Sequence, residues 1–405
     1  MKHGARNSER VQPAVSNDST IYHQRFSVSY EYPVVFTHGL FSPENQAFVD
    51  TLCGLVSKRR HPTFFVVDRG VADAWPKILE DISAYVHRCG DRLTLTAPVQ
   101  VLEGGEAAKN DPQVVDRLQE QISALGLDRH ALVVTVGGGA LQDAVGYAAA
   151  TAHRGLRVVR VPTTVLSQND SGVGVKNGVN AFGAKNFLGT FTPPFAVLVD
   201  FDFLATLHPR DKKSGMAEAV KVSLVRDASF FRWLEEHVED LASFETARVE
   251  HLVERCAKLH LEHIATSGDP FELGSARPLD FGHWAAHQLE TLTKHELRHG
   301  EAVAVGVALD SCYSTEIGML NGQARESICN LLEGLGLPLW HESLATLSPG
   351  GRPLVLDGLD EFRQHLGGEL NITLLEDIGR GVEVHTIDDA SVSRSIGWLR
   401  KRRDR

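Results

Sequence analysis

Four short runs in the first half of the chain are almost wholly apolar and rich in β-branched residues. They are residues 63–67 (TFFVV), 131–136 (ALVVTV), 156–161 (LRVVRV) and 196–199 (AVLV), and they end at Asp68, Gly137, Pro162 and Asp200. Runs of this kind, with no alternation of polar and apolar positions, predict strands buried on both faces, as in a parallel sheet. The helical stretches between them predict βαβ units. After about Leu204 the pattern changes. FFRWLEEHVEDLASF and RVEHLVERCAKLHLEHI carry apolar residues at helical spacing, and few strand-like runs remain before ELNITLL. The chain is therefore read as an α/β domain with a parallel sheet over residues 26–204 and a mainly helical domain over 205–405. The polar residues 1–25 read as a flexible extension. No internal repeat or low-complexity linker interrupts this plan.

Composition narrows the function without choosing it. The 405 residues suffice for two domains with real cores, and 42% hydrophobic with 23% charged residues is ordinary for a globular protein. A formal net charge of -11, with no long basic block, argues against nucleic acid as a partner. An anionic small ligand would need a local basic pocket. The five cysteines stand far apart, which fits reduced thiols in the cytoplasm. No secretory signal or membrane-length apolar run is apparent, so no membrane partner is expected.

Candidate chemistry appears at three places. VVTVGGGALQDAVGYAAA is a strand, three glycines and a helix. Such a turn lets a diphosphate approach the backbone at a helix N-terminus, and it would equally serve as a tight strand-to-helix connection. Asp68 could take a ribose diol. It precedes the glycine loop, whereas the simple dinucleotide pattern places the acid after it, so the order points to a different nucleotide-binding family, and taken alone Asp68 reads as a strand-end turn residue. Further on, GHWAAH sets His283 and His287 four apart, His299-Gly300-Glu301 follows, and Glu218 and Lys221 share one helical face upstream. Imidazole plus carboxylate with an open position makes a catalytic metal site, although 19 histidines guarantee some chance pairs. Finally, TTVLSQNDSGVGVKNGVNAFGAKN is polar and glycine-rich, and reads as a long loop suited to a phosphorylated, polyhydroxylated ligand.

In this order the pieces resemble 3-dehydroquinate synthase and its sugar phosphate cyclase relatives, from about Tyr32 to His385. The motifs are GGExxK at Gly104, GGGxxxD at Gly137, PTT at Pro162, DSxVGxK at Asp170, KN at Lys185, AExxK at Glu218, GHxxxH at Gly282 and HGEAVA at His299. The resemblance implies a homodimer that uses NAD+ and Zn2+ or Co2+. It implies NAD contacts from Asp68, Glu106, Lys109, Gly138, Gly139, Asp143, Thr163 and Thr164. The implied metal ligands are Glu218, His283 and His299. Arg154, Asp170, Lys176, Lys185, Asn186, Lys221, Lys258 and His287 are implied for substrate and proton transfer. The implied chemistry is redox-neutral: oxidation by NAD, loss of phosphate, return of the hydride, ring opening and aldol closure.

Two departures bear on the substrate. Dehydroquinate synthases carry an arginine and LNxGH before the first metal histidine. Here SGDPFELGSARPLDFGH places Asp280 at the asparagine position and Arg277 one step from the expected place. Arg363-Gln364-His365 stands where a lysine pair is expected. Altered positive groups at the carboxylate end suit a substrate without a carboxylate, such as sedoheptulose 7-phosphate. The segments are most like the 2-epi-valiolone synthase branch of the sedoheptulose 7-phosphate cyclases. The alternatives are 3-dehydroquinate synthase itself and, further off, a metal-dependent polyol dehydrogenase or a non-catalytic binding protein.

Overall fold

The computed structural model describes residues 21–55, 60–271, 278–365 and 370–404. Residues 21–31 carry no helix or strand, and residues 1–20 of the expected extension lie outside the described residues, as does Arg277. Residues 32–405 form one compact unit.

The four apolar runs are the middle of a seven-stranded parallel sheet. Its strands are β1 (Val34–Thr37), β2 (His61–Asp68), β3 (Leu93–Leu95), β4 (Gln100–Leu102), β5 (Leu132–Gly137), β6 (Arg157–Pro162) and, later in the chain, β9 (Ala196–Asp200). The order is β1-β9-β6-β5-β2-β3, with β4 also on β2, and every pairing is parallel. The lack of alternation has a visible cause. Phe65, Val67, Val134 and Val136 pack on one face beneath the Ile78–Arg88 helix, while Phe64, Val66 and Val133 pack on the other against Pro112–Ala124 and Gly139–Thr151. The strands end at one edge of the sheet, so Asp68, the glycines after β5 and Thr163-Thr164 after β6 converge there.

The segment expected to be a polar loop is structured. Ser167–Ser171 form a π-helical turn, and β7 (Lys176–Ala181) pairs antiparallel with β8 (Ala184–Phe191). Ser167, Gln168, Asn169 and Val173 are buried. Arg160, inside β6 and 1% exposed, explains how so polar a stretch folds inward. Its guanidinium donates to the carbonyls of Gly172 (3.2 Å), Gly174 (2.8 Å) and Lys176 (2.9 Å) and to Asn177 Oδ1 (2.7 Å). A side chain thus satisfies carbonyls that neither strand nor helix reaches.

Past β9 the chain is mainly helical, with the expected late strand as β10 (Ile372–Asp377) paired to β11 (Arg380–Val384). Met216–Arg226 is buried from Met216 to Val225, at the centre of the helical core. His283–Leu292 and His299–Glu316 cross beside it. Their crossing needs glycine: a Cβ on Gly306 would stand 2.1 Å from the Gly282 carbonyl, and Gly282 itself has φ +78°. Among the described residues no helix is long and apolar enough to cross a membrane.

Candidate active site

A cleft of about 430 Å3 opens at the carboxyl edge of the sheet. Asp68, Gly138, Gly139, Thr163 and Thr164 line one end, and Ser214, Arg298 and His299 the other. The Gly139–Thr151 helix begins here, and no side chain caps its N-terminus. Its first amides therefore face the cleft as an anion site. Asp68 Oδ1 accepts from the Gly70 amide at 2.9 Å. Burial pushes the Asp68 carboxyl up, while the amides of Gly70 and Gly138 pull it down. The carboxylate lies so close over Gly104 that a Cβ there would stand 1.9 Å from Asp68 Oδ2. An uncapped helix start, a glycine turn and an acid at a strand end fit a dinucleotide.

Three of the expected cofactor residues sit instead against the β7–β8 hairpin. Buried Lys109 donates to Asp143 Oδ2 at 2.8 Å and to Asn186 Oδ1. Glu106 Oε1 accepts from Asn180 at 2.6 Å. Asn186, expected near substrate, is thus held by Lys109, while its neighbour Lys185 donates to Glu290 Oε1 at 2.7 Å.

At the other end of the cleft, Glu218, His283 and His299 place one donor atom each within 4.8 Å of the others. Glu218 is 1% exposed. Its Oε1 lies 3.7 Å from His283 Nε2 and 3.5 Å from His299 Nε2, and has no hydrogen-bond partner. Both rings have their Nδ1 atoms engaged, His283 with the Phe281 carbonyl at 3.3 Å and His299 with Glu290 Oε2 at 3.2 Å. Their Nε2 atoms thus turn toward an orphaned, buried carboxylate oxygen. This N2O donor set fits a divalent metal of the zinc type.

The charges around it follow from burial and pairing. Burial alone would disfavour the Glu218 charge, but Lys221, His299 and His283 outweigh it and hold the carboxyl well below its usual range. Lys221 Nζ is 2.5 Å from Glu218 Oε2. Burial opposes its charge too, yet Glu218, Asp170 and Asp280 keep it protonated. Burial and then Lys221 push His283 down to about 3, and burial and then His283 push His287 down to about 3. Both imidazoles are neutral at pH 7, the form that offers a lone pair. His299 differs: burial works against its charge, but Glu290 and Glu218 push it up to about 9. His287 sets its ring edge-on to His283, with centroids 5.4 Å apart, and tilted against His299 at 6.0 Å.

Asp170 reaches this cluster through the field it exerts on Lys221. It is paired to a residue that the sequence reading passed over, His260, whose Nδ1 lies 2.7 Å from Asp170 Oδ1. Lys258, two positions earlier on the same Thr246–Thr266 helix, is 52% exposed and ion-paired with Glu254 instead. Lys176 opens β7 on the exposed side of the hairpin. Arg154 lies beyond the C-terminus of the 13-residue Gly139–Thr151 helix. That is about 20 Å along the axis from the glycine loop, at 1.5 Å per residue. It joins neither the cleft nor the metal cluster.

Two more buried acids had no place in the sequence reading. Glu290 orients His299. Asp310 accepts from the Gly282 amide at 3.0 Å and from Trp284 Nε1 at 2.9 Å, anchoring the helix that carries His283, and burial pushes its carboxyl up to about 7.

Known proteins match the chain over both halves. Residues 99–214 match the 3-dehydroquinate synthase N-terminal family and residues 215–349 the 3-dehydroquinate synthase C-terminal family. The chain is 35% identical over 363 residues to 2-epi-5-epi-valiolone synthase of Streptomyces glaucescens, covering 89% of this chain and 88% of that one. It is 36% identical over 337 residues to 3-dehydroquinate synthase of a Bradyrhizobium strain, covering 82% and 85%. It superposes with a TM-score of 0.82, at 29% identity, on the structure of 2-epi-5-epi-valiolone synthase from Streptomyces hygroscopicus with NAD+ and Zn2+ bound, covering 94% of this chain and 100% of that chain. It also shares the fold of a 2-deoxy-scyllo-inosose synthase complexed with carbaglucose-6-phosphate, NAD+ and Co2+, with a TM-score of 0.72 at 23% identity, covering 90% and 96%.

Proposed function

Because the chain belongs to the 3-dehydroquinate synthase family of sugar phosphate cyclases, we propose that it closes sedoheptulose 7-phosphate into a C7 cyclitol of the 2-epi-valiolone type, with loss of phosphate. One observation carries the choice of substrate. Lys221, the buried lysine beside the metal ligands, already answers to Glu218, Asp170 and Asp280, and Asp170 is further paired to His260. A substrate carboxylate entering beside Lys221 would meet the negative charges of Asp170 and Asp280, which already share that lysine with Glu218. An unpaired buried charge costs several kcal/mol, and about 1.4 kcal/mol is already tenfold in rate. A neutral polyol end meets no such penalty.

Glu218, His283 and His299 would hold Zn2+ or Co2+, which supplies Lewis-acid polarisation of a substrate oxygen when bound. Asp68, Gly138, Gly139, Thr163 and Thr164 would hold NAD+, which takes and returns a hydride. The chain itself positions and balances charge. Lys221 stays protonated and steadies negative charge on the substrate oxygens. Asp170 holds His260 toward the polyol. The neutral His287 accepts a proton at its free ring nitrogen. Lys176 and Lys185 supply point charges for the phosphate. The homodimer and the cytoplasmic setting belong to the same reading, the latter supported by five free cysteines.

The 36% identity to a 3-dehydroquinate synthase favours a second reading, a divergent enzyme of that activity. The test compares kcat/KM for sedoheptulose 7-phosphate with that for the seven-carbon keto acid phosphate used for dehydroquinate, under the same NAD+ and metal, with the cyclitol identified by NMR. Sedoheptulose 7-phosphate is expected to win by at least tenfold. A win for the keto acid phosphate selects the second reading, and stoichiometric NADH release with either substrate makes the protein a dehydrogenase.

A further inference from the structure

Glu290 lies on the same helical face as His283 and His287, and it is 3% exposed. It lies outside the Glu218, His283 and His299 set and outside the motifs above, although its carboxylate also comes within 4.8 Å of donor atoms of His287 and His299. Both of its oxygens are engaged, on different parts of the molecule. Oε2 faces His299 Nδ1 at 3.2 Å, and Oε1 accepts from Lys185 Nζ of β8 at 2.7 Å. His299 passes the contact on to Glu218 Oε1 at 3.5 Å, and Glu218 to Lys221 at 2.5 Å. A line of contacts thus runs from the hairpin through Glu290, His299 and Glu218 to Lys221 in the helical core.

From this placement we infer that Glu290 is a positioning residue that couples the lysine hairpin to the metal. The inference rests on the metal site proposed above. Glu290 fixes the His299 tautomer, with Nδ1 as donor and Nε2 directed at Glu218. A carboxylate on the far nitrogen also raises the basicity of the ligating one. The same carboxylate holds Lys185, and with it β8. Metal at His299 and a seated hairpin therefore favour each other, and by linkage the effect is reciprocal. Without Glu290 the ring can turn, and Lys185 keeps a charge with no partner in a half-buried setting.

The test uses the full-length protein with NAD+ added, stripped of metal and titrated with Co2+, followed by visible absorption. Glu290→Gln is expected to weaken Co2+ binding by about 10–100-fold, the range for outer-shell partners of ligating histidines. Wild-type Co2+ affinity and spectrum in Glu290→Gln overturn the inference. Glu218→Ala and His283→Ala serve as controls. If they too bind Co2+ as wild type does, the metal site itself is misassigned, which is a separate failure. Should Glu290→Gln not fold, as judged by circular dichroism, hydrogen exchange decides. Metal is expected to slow exchange across residues 184–191 at least threefold in the wild type and not in Lys185→Met. Equal slowing in both, or none in either, overturns the coupling.

Discussion

The two ends of the cleft are built on different principles. The dinucleotide end is made mostly of backbone: a helix start without a cap, a glycine turn, and one carboxylate laid over Gly104. The metal end is made of side chains, with Glu218, Lys221, His283, His299 and Glu290 packed so that each charge answers another. Backbone amides keep their direction whatever the neighbouring side chains do. A buried charge network has no such tolerance, because taking out one member leaves its partner uncompensated in low dielectric. The first end should therefore fail locally, and the second should fail as a unit.

The largest effect is expected at Glu218. Glu218→Ala removes a proposed ligand and strands the buried Lys221, so bound metal is expected to disappear and turnover to fall about a thousandfold or more, as befits several kcal/mol of lost Lewis-acid stabilisation. Stability should fall by roughly 3–5 kcal/mol, the cost of breaking a buried pair. The double variant Glu218→Ala/Lys221→Met should recover part of that stability while remaining inactive. Elemental analysis and denaturant melts check both statements. A Glu218→Ala chain as stable as wild type would erase the contrast between the two ends.

A smaller and more confined loss is expected at Gly104. Its new Cβ would stand 1.9 Å from Asp68 Oδ2, so the carboxylate must move away. Gly104→Ala should weaken NAD+ about tenfold, or about 1.4 kcal/mol, while the metal content stays as in wild type. Calorimetric titration of NAD+ alongside metal analysis would show whether the damage spreads. Loss of metal in this variant would mean that the two ends are not separable.

The smallest effect distinguishes two residues of one helix. His260→Leu should lower turnover about tenfold, because Asp170 loses its partner, while Lys258→Ala stays within about twofold and within about 0.5 kcal/mol of wild-type stability, as expected for an exposed pair. Steady-state kinetics on both variants would settle which face of the helix meets the substrate. A larger effect at Lys258 would sink the assignment.

Much of this was legible in the linear chain, for reasons that are local. A strand buried on both faces must be apolar at consecutive positions, so 63–67, 131–136, 156–161 and 196–199 announced the sheet. Glycine motifs announced the turn, and the spacing of His283 and His287 announced a shared helical face. The KN pair, the DSxVGxK stretch and AExxK carried the family. Signals that were present but went unused are Arg160, a charge inside an apolar strand, Asp310, an acid inside an apolar helix, and Glu290, three positions after His287.

Other features depended on contacts between distant segments. Nothing in the local pattern of 163–186 shows that Arg160 will supply its missing hydrogen bonds and turn an apparent loop into a π-turn and a hairpin. Nothing in RCAKLHLEH says which of Lys258 and His260 faces Asp170, ninety residues upstream of His260. Lys185 and Asn186 are adjacent in sequence yet meet partners in distant segments, Glu290 and Lys109, and Asn186 does so from a left-handed backbone conformation with φ +54°. Residue types and spacing determine which chemistry is available. Which donor meets which acceptor is decided by the packing, since a buried charge is stable only where the fold brings it a partner.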